Sequence, residues 1–412
     1  MNVRLIRLLS GVFLFLVAAL ATLPSTAYAF SEEQRLVNEV WRIVDRAYVD
    51  DTFNHQNWRD IRRQALKMPL TDENSTYDAI DEMLAVLDDP FTRLLRPEQY
   101  KSLQTSTSGE LTGVGLQITR LPETGVLSVI APIEGSPADL AGIQPRDVIL
   151  KIDGISTRDF SLDEAAERMR GKPGSRVVLT VSHDSEIEQD FDIVRDRIQL
   201  NPVSFSLRHP FNDLDVGYIR LSQFNANATE AIAEAVNELE DQGVDGYILD
   251  LRNNPGGLLQ AGIEIAKFWL TDSVIVHTVN RYGIQDTVDT YDQALTDRPL
   301  IVLVNHGTAS ASEILSGALH DNHRATIVGQ QTFGKGLIQS LFNLSDGAGL
   351  AVTVARYETP DHVDINTLGI QPDIIVEPGL LGVTAMATPS DPQYEKALEV
   401  LQESLQSDGI ER

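Results

Sequence analysis

Cysteine is absent from all 412 residues. That excludes thiol catalysis and disulfide staples, so a stable fold must rest on the size of its buried core. Histidine is scarce: eight residues, scattered, with no His-x-x-x-His pair. No zinc-peptidase helix can be built from that spacing, and we expect neither a metal centre nor a cofactor. Positive charge is also in short supply, with 33 Lys and Arg against 60 Asp and Glu, a net charge of −27. Such a surface repels nucleic acid and anionic lipid. No nucleic acid partner is expected, and at most peripheral contact at a membrane; the bland reading of the charge is solubility. After residue 29 no stretch is apolar enough to span a bilayer.

Residues 1–29 have the form of a cleaved leader. Arg4 and Arg7 make a basic start, Leu8 to Leu20 a short apolar run, and Ala27-Tyr28-Ala29 a small-x-small cleavage site. The mature, exported chain then begins near Phe30; the rival reading is an uncleaved anchor helix. Roughly 380 residues remain, enough for two or three domains.

Residues 30–100 predict helices. Val37, Val40, Trp41, Val44 and Ala47 recur at three- and four-residue spacing, a second helix runs near Trp58 to Leu66, and Asp72 or Ser75 caps a third. Near residue 109 the pattern changes to short strands and glycine turns. Ser136-Pro137-Ala138-Asp139-Leu140-Ala141-Gly142 followed by Asp147 to Gly154 resembles a PDZ domain of the circularly permuted bacterial kind. That resemblance spans residues 101–195 and makes Gly113, Val114, Gly115 and Leu116 the loop that binds a peptide's terminal carboxylate. Glycines there let backbone N–H groups converge on an anion, while the adjoining strand edge pairs with the peptide. From about 196 to 380 strands and helices alternate, which predicts an α/β domain with a central, largely parallel sheet. Residues 381–412 are read as a tail and a final helix.

In such sheets active groups gather where strands end. Three loops qualify: 253–257, 305–310 and 332–336. Ser310 lies between Ala309 and Ala311 where a helix opens, and unpaired N–H groups at a helix start suit a developing oxyanion. Ser310 or Ser312 as a simple N-cap is the bland alternative. Lys335 follows Thr332-Phe333-Gly334. A lysine serves as base only if burial lowers its pKa, and Phe333, Leu337 and Ile338 are the expected source of that burial. If a strand runs from Lys335 to Leu341, Lys335, Leu337 and Gln339 share a face, and the Gln339 amide can orient the amine without adding charge. Two rivals use the same residues. Gly329-x-x-x-x-Gly334-Lys335 imitates a phosphate loop but lacks the following Ser or Thr. His306, His320 and His323 with Asp321 offer a Ser-His-Asp triad.

These motifs resemble the carboxyl-terminal processing, or tail-specific, proteases. The residues that carry the likeness are Asp250 to Gly257, Thr308 to Glu313, Thr332 to Gly336 with Gln339, and Gly369 to Ile374. The resemblance implies a multidomain α/β chain: an N-terminal helical region, an inserted PDZ domain (β-rich with two helices), and a crotonase/ClpP-like α/β serine protease domain. It implies Ser310 as nucleophile, Lys335 as general base and Gln339 as its assistant. It also implies N–H groups of Gly256 and Ala311 as oxyanion hole, and Arg170 as the residue linking a bound tail to the protease core. Thr308 stands where many members have serine. Asp88 to Leu95 looks most like members from oxygenic phototrophs, which trim the C-terminal extension of a photosystem II reaction-centre precursor in the thylakoid lumen. The substrates implied are proteins with exposed C-terminal tails, in a periplasm or lumen. An inert PDZ scaffold and a crotonase-like acyl-transfer enzyme are the competing functions; the oligomeric state is left open.

Overall fold

The computed structural model describes residues 30–410, apart from 122–123, 184–186, 212–213, 284, 292 and 379–385. The leader at 1–29 lies outside the described residues.

Ser31 opens α1 (Glu32–Ala47) with a reciprocal capping box to Gln34, and the helix buries Leu36, Val37, Val40 and Val44. In α2 (Trp58–Ala65) the indole of Trp58 donates to the Trp41 carbonyl, and Trp41 donates back to Trp58. Asp72 caps α3 (Glu73–Ala85), with Ser75 as its reciprocal partner. The three apolar faces meet Leu344, Ala348, Leu350 and Val352, so this region shares a core with a late part of the chain. A short strand β1 (Arg93–Leu95) and helix α4 (Pro97–Ser108) follow, and α4 runs across the expected boundary at residue 100.

The PDZ unit hangs from a two-stranded ribbon. The strand β2 (Glu110–Gly113) leads in. The PDZ sheet is built from β3 (Leu116–Arg120), β4 (Leu127–Pro132), β5 (Val148–Ile152), β7 (Arg176–His183) and β8 (Ile187–Val194) in that order, with β6 (Ile155–Ser156) beside β5. The outgoing strand β9 (Asp196–Gln199) pairs antiparallel with β2. Two helices, α5 (Pro137–Leu140) and α6 (Leu162–Met169), close a core around Val129, Ile149, Leu179 and Val181.

Beyond it β10 (Val203–Phe211) turns antiparallel to β11 (Leu214–Leu221). From β11 the sheet is parallel through β12 (Gly246–Asp250), β15 (Leu300–Val304), β16 (Ala325–Gly329) and β19 (Ile374–Ile375). Strand alternation sorts the side chains. Tyr247, Leu249, Val302 and Val304 face α7 (Ala228–Asp241), α8 (Leu259–Lys267) and α9 (Ala311–Asp321). Ile248, Ile301 and Leu303 face α10 (Pro392–Ile410) through Tyr394, Leu398 and Leu401. A second sheet has the order β1, β18 (Gly349–Glu358), β13 (Ser273–Asn280), β14 (Gln285–Thr290), with β17 (Leu337–Asn343) also on β18. This sheet carries the N-terminal helices on Leu350 and Val352. Among the described residues no helix is long and apolar enough to cross a membrane.

Candidate active site

Loops after β12, β15 and β16 converge at one end of the parallel sheet, as its topology requires. Each is held by buried polar groups. Behind the first loop Asp250, Arg252 and Asp391 are buried together. Arg252 donates to Asp250 Oδ2 at 2.6 Å and lies 2.8 Å from Asp391 Oδ2, tying the root of the loop to the start of α10. Asn254, also buried, donates to the Leu221 carbonyl at 2.9 Å and accepts the Gly256 N–H at 2.9 Å. Gly257 has φ +145°, and a Cβ there would lie 2.1 Å from the Phe224 carbonyl oxygen, so only glycine fits.

Ser310 precedes α9 at φ 59°, ψ −118°. For a residue with a Cβ this conformation costs about 1–3 kcal/mol and persists only where neighbours impose it. Nine of the eleven residues of α9 are buried, which fixes the helix. Ala309 and Ala311 are both buried, and Gly256 packs against their backbone: a Cβ on it would lie 2.6 Å from the Ala309 carbonyl oxygen and 2.9 Å from Ala311 N, so only glycine fits there. Ser312 is buried and donates to the Asn254 carbonyl at 3.0 Å, so it closes the fold behind Ser310.

Glu313, fully buried, joins the two halves of the site. Its Oε2 accepts the Ser310 N–H at 2.8 Å and the Lys335 N–H at 2.9 Å. Its Oε1 accepts Thr332 Oγ1 at 2.5 Å and Gly334 N–H at 2.6 Å. Four donors on one carboxylate satisfy the buried charge, and among the described residues no cation forms an ion pair with it. In the sequence Glu313 is part of the Thr308 to Glu313 motif, and its place three residues after Ser310, the spacing of a capping box, is the local signal for its role.

Ser310, Ala311, Gly256, Lys335 and Gln339 line one cleft of about 370 Å³. Among the described residues no hydrogen bond joins Ser310 to Lys335. The ammonium instead lies over the Phe91 ring, 4.9 Å from its centroid. Burial, then the like charge of Arg93, hold the lysine pKa below its ordinary range, and Glu313 and Asp89 partly offset them. Of the three apolar neighbours expected to bury it, Leu337 and Ile338 do line the cleft with Lys335, while Phe333 is 59% exposed and does not. Phe91, which the segment 88–93 brings over from the N-terminal region, lines it as well. Asp89 pins that segment by accepting Phe91 N–H at 2.9 Å and the hydroxyls of Thr92 and Thr353 at 2.7 Å each. Phe91, Arg93 and Tyr357 were missed in the sequence because only the fold brings them to the site. The Tyr357 hydroxyl donates to the Lys335 carbonyl. Burial and then Glu313 push its pKa well above the usual phenol range, while the nearby Ser310 hydroxyl tempers the rise. It therefore stays a neutral donor.

Two expected alignments differ. The strand β17 starts at Leu337, not Lys335, and a bulge falls between Ile338 and Gln339. Gln339 still faces the cleft, but its Nε2 is buried without a partner. None of the three histidines lines the cleft: His306 and His323 are exposed, and His320 pairs with Asp321 at 2.7 Å and Asp373 at 3.3 Å.

Comparison with known proteins decides the family. Residues 215–376 match Peptidase family S41 and residues 128–182 match the PDZ domain. A carboxyl-terminal-processing protease from Synechocystis sp. is 58% identical over 392 residues, covering 94% of this chain and 92% of its own. The chain belongs to the carboxyl-terminal-processing protease family. Carboxyl-terminal-processing peptidase 2, chloroplastic, from Arabidopsis thaliana is 45% identical, covering 90% of this chain and 74% of its own. A solved photosystem II D1 C-terminal processing protease is 40% identical with TM-score 0.58, covering 89% of this chain and all of that one. The processing protease is thus a serine-type peptidase with a PDZ domain, acting on C-terminal tails, and the α/β multidomain reading stands.

In this protease Gly113, Val114, Gly115 and Leu116 line a small groove of about 70 Å³ between β3 and α6. Arg170 lines it too. Its guanidinium donates to Glu167 at 2.7 Å, and Lys101 of α4 lies 3.2 Å from the same carboxylate. Arg195, buried, caps the end of α6 on the carbonyls of Arg168 and Met169.

Proposed function

We propose that this protease removes C-terminal extensions by Ser-Lys catalysis, with Ser310 as nucleophile and Lys335 as general base. The observation that carries the reading is the shared cleft: a strained serine at a helix start opposite a half-buried lysine whose pKa is lowered. Lys335 swings from Phe91 towards Ser310 and takes its proton as the hydroxyl attacks the scissile carbonyl. The developing oxyanion faces the N–H groups of Ala311 and Gly256 at the start of α9; the Gly256 N–H exchanges Asn254 for it. As the tetrahedral species collapses, the lysine ammonium returns its proton to the leaving amine, and water then hydrolyses the ester by the same route in reverse. Gln339, with its unpartnered amide, assists by orienting the lysine.

A substrate tail adds to the edge of β3 with its terminal carboxylate at the N–H groups of 113–116. Arg170 is the regulatory contact: a tail that draws it from Glu167 favours the active arrangement by its differential affinity. The likeness to the D1 processing protease favours a photosystem II reaction-centre precursor as substrate and an exported, lumenal or periplasmic site of action. Residues 30–412 incubated with peptides ending in such an extension should yield one internal cleavage by mass spectrometry. Arg170→Ala should lower kcat for tailed substrates more than it raises the tail Kd; unchanged values of both contradict the regulatory role.

A further inference from the structure

The catalytic cleft has a charge asymmetry that the reaction does not use. The chain carries 60 acidic and 33 basic side chains, yet among the described residues no Asp or Glu lines the cleft. Its charged lining is Arg93 and Lys335. A lysine acting as base works neutral, and a guanidinium is never deprotonated, so Arg93 is the charge that persists through turnover. The side chain is exposed at the head of β1, whose register against Ala351 on β18 turns Leu94 and Leu95 inwards. Among the described residues this guanidinium has neither an ion pair nor a hydrogen bond. Neighbouring Arg96, by contrast, donates to Asn74 at 2.9 Å and lies 3.7 Å from Asp78. Walls of Phe91, Leu103, Leu258 and Leu337 reduce screening around the free cation and strengthen its pull on an anion. Its charge also disfavours the protonated lysine.

We propose that Arg93 is a substrate-selecting residue that pairs with a carboxylate brought into the cleft beside the scissile bond. The inference rests on the cleft being where the peptide is cut. An Asp or Glu side chain near the cut, or the α-carboxylate of a short tail, presents the same group.

The test is kcat/KM on matched peptides for wild type, Arg93→Gln and Arg93→Glu at low salt. One arm moves a Glu or its isostere Gln through positions around the cut; the other compares free with amidated C-termini. Cleavage of the neutral peptides by wild type, abolished by Ser310→Ala, checks the peptidase reading separately. At one Glu position, or in the free-terminus arm, wild type should prefer the carboxylate by about five- to tenfold, the range of a partly screened to charge-assisted pair. Added salt should shrink the preference. In Arg93→Gln the ratio should fall to about one, and Arg93→Glu should favour a Lys peptide instead. Because each ratio is taken within one variant, a general change in rate cancels. A wild-type ratio near one in both arms overturns the proposal, as does a preference that survives Arg93→Gln.

Discussion

Glu313 and Glu167 each hold two parts of this protease together, and they do so by opposite means. Glu313 is fully buried, meets no cation within salt-bridge distance among the described residues, and is satisfied by Ser310 N–H, Thr332 Oγ1, Gly334 N–H and Lys335 N–H. Glu167 is 45% exposed and satisfied by two cations, Arg170 from its own helix and Lys101 from α4. Buried hydrogen bonds from backbone donors fix geometry, because leaving any of them unmade costs about 1–3 kcal/mol. Exposed ion pairs are worth about 0–1 kcal/mol and exchange partners readily. The catalytic end is therefore built to stay in place, and the PDZ end to let go. Partial burial alone would raise the Glu167 pKa, but bonds from Arg170 and Lys101 outweigh it and lower it. A depressed folded pKa means that this contact stabilises above the ordinary carboxylate range and is lost as pH falls through the folded value.

The largest effect should come from the group the catalytic end exists to position. Ser310→Ala should cut kcat at least about a thousandfold with an unchanged melting temperature, since catalytic groups that act as a unit fail together. Ser312→Ala should keep most of the turnover and lose stability instead. Next is the direct comparison of the two carboxylates. Glu313→Gln turns an acceptor towards its donors into a further donor, so it should cost about 3 kcal/mol in urea unfolding and about a hundredfold in kcat. Glu167→Gln should move the melting temperature by no more than about 3 °C. It should tighten tail binding about two- to fivefold by freeing Arg170, read by peptide titration. Equal losses from the two substitutions would erase the contrast between a fixed end and a releasable one. A smaller effect is pH-linked stability. The Lys335 pKa is lowered on folding, so the unfolded chain holds the proton more tightly. The cost of the half-buried ammonium is fully present below the folded pKa and disappears as pH rises towards the unfolded one. Lys335→Met should therefore gain stability over wild type at neutral pH, with the gain shrinking on the alkaline side.

Legibility in the sequence followed the range of the interactions. Helix starts were local: Asp72 with Ser75 carries its own capping chemistry, and the buried strand at Gly246–Asp250 shows in its composition. The three loops were found because parallel strands end together, whatever the side chains. Interactions set by distant segments were not legible. Leu337 and Ile338 flank Lys335 as their nearness in sequence suggests, but Phe333 is exposed, and Phe91, placed by Asp89 clasping Thr353, lies against the ammonium instead. The same-face reading of Lys335 and Gln339 assumed a regular strand, and a single bulge breaks that period.

The central claim is that an uncharged Lys335, and no histidine, takes the proton from Ser310. The most direct measurement is kcat/KM against pH for wild type, Lys335→Ala and the His306/His320/His323 triple alanine variant. The account predicts a wild-type rate that rises with pH through one ionisation below the ordinary lysine range. That profile should be kept in the triple variant, with no turnover at any pH in Lys335→Ala. A midpoint in the ordinary histidine range, about 6.5, that vanishes in a folded triple variant while Lys335→Ala stays active would contradict it.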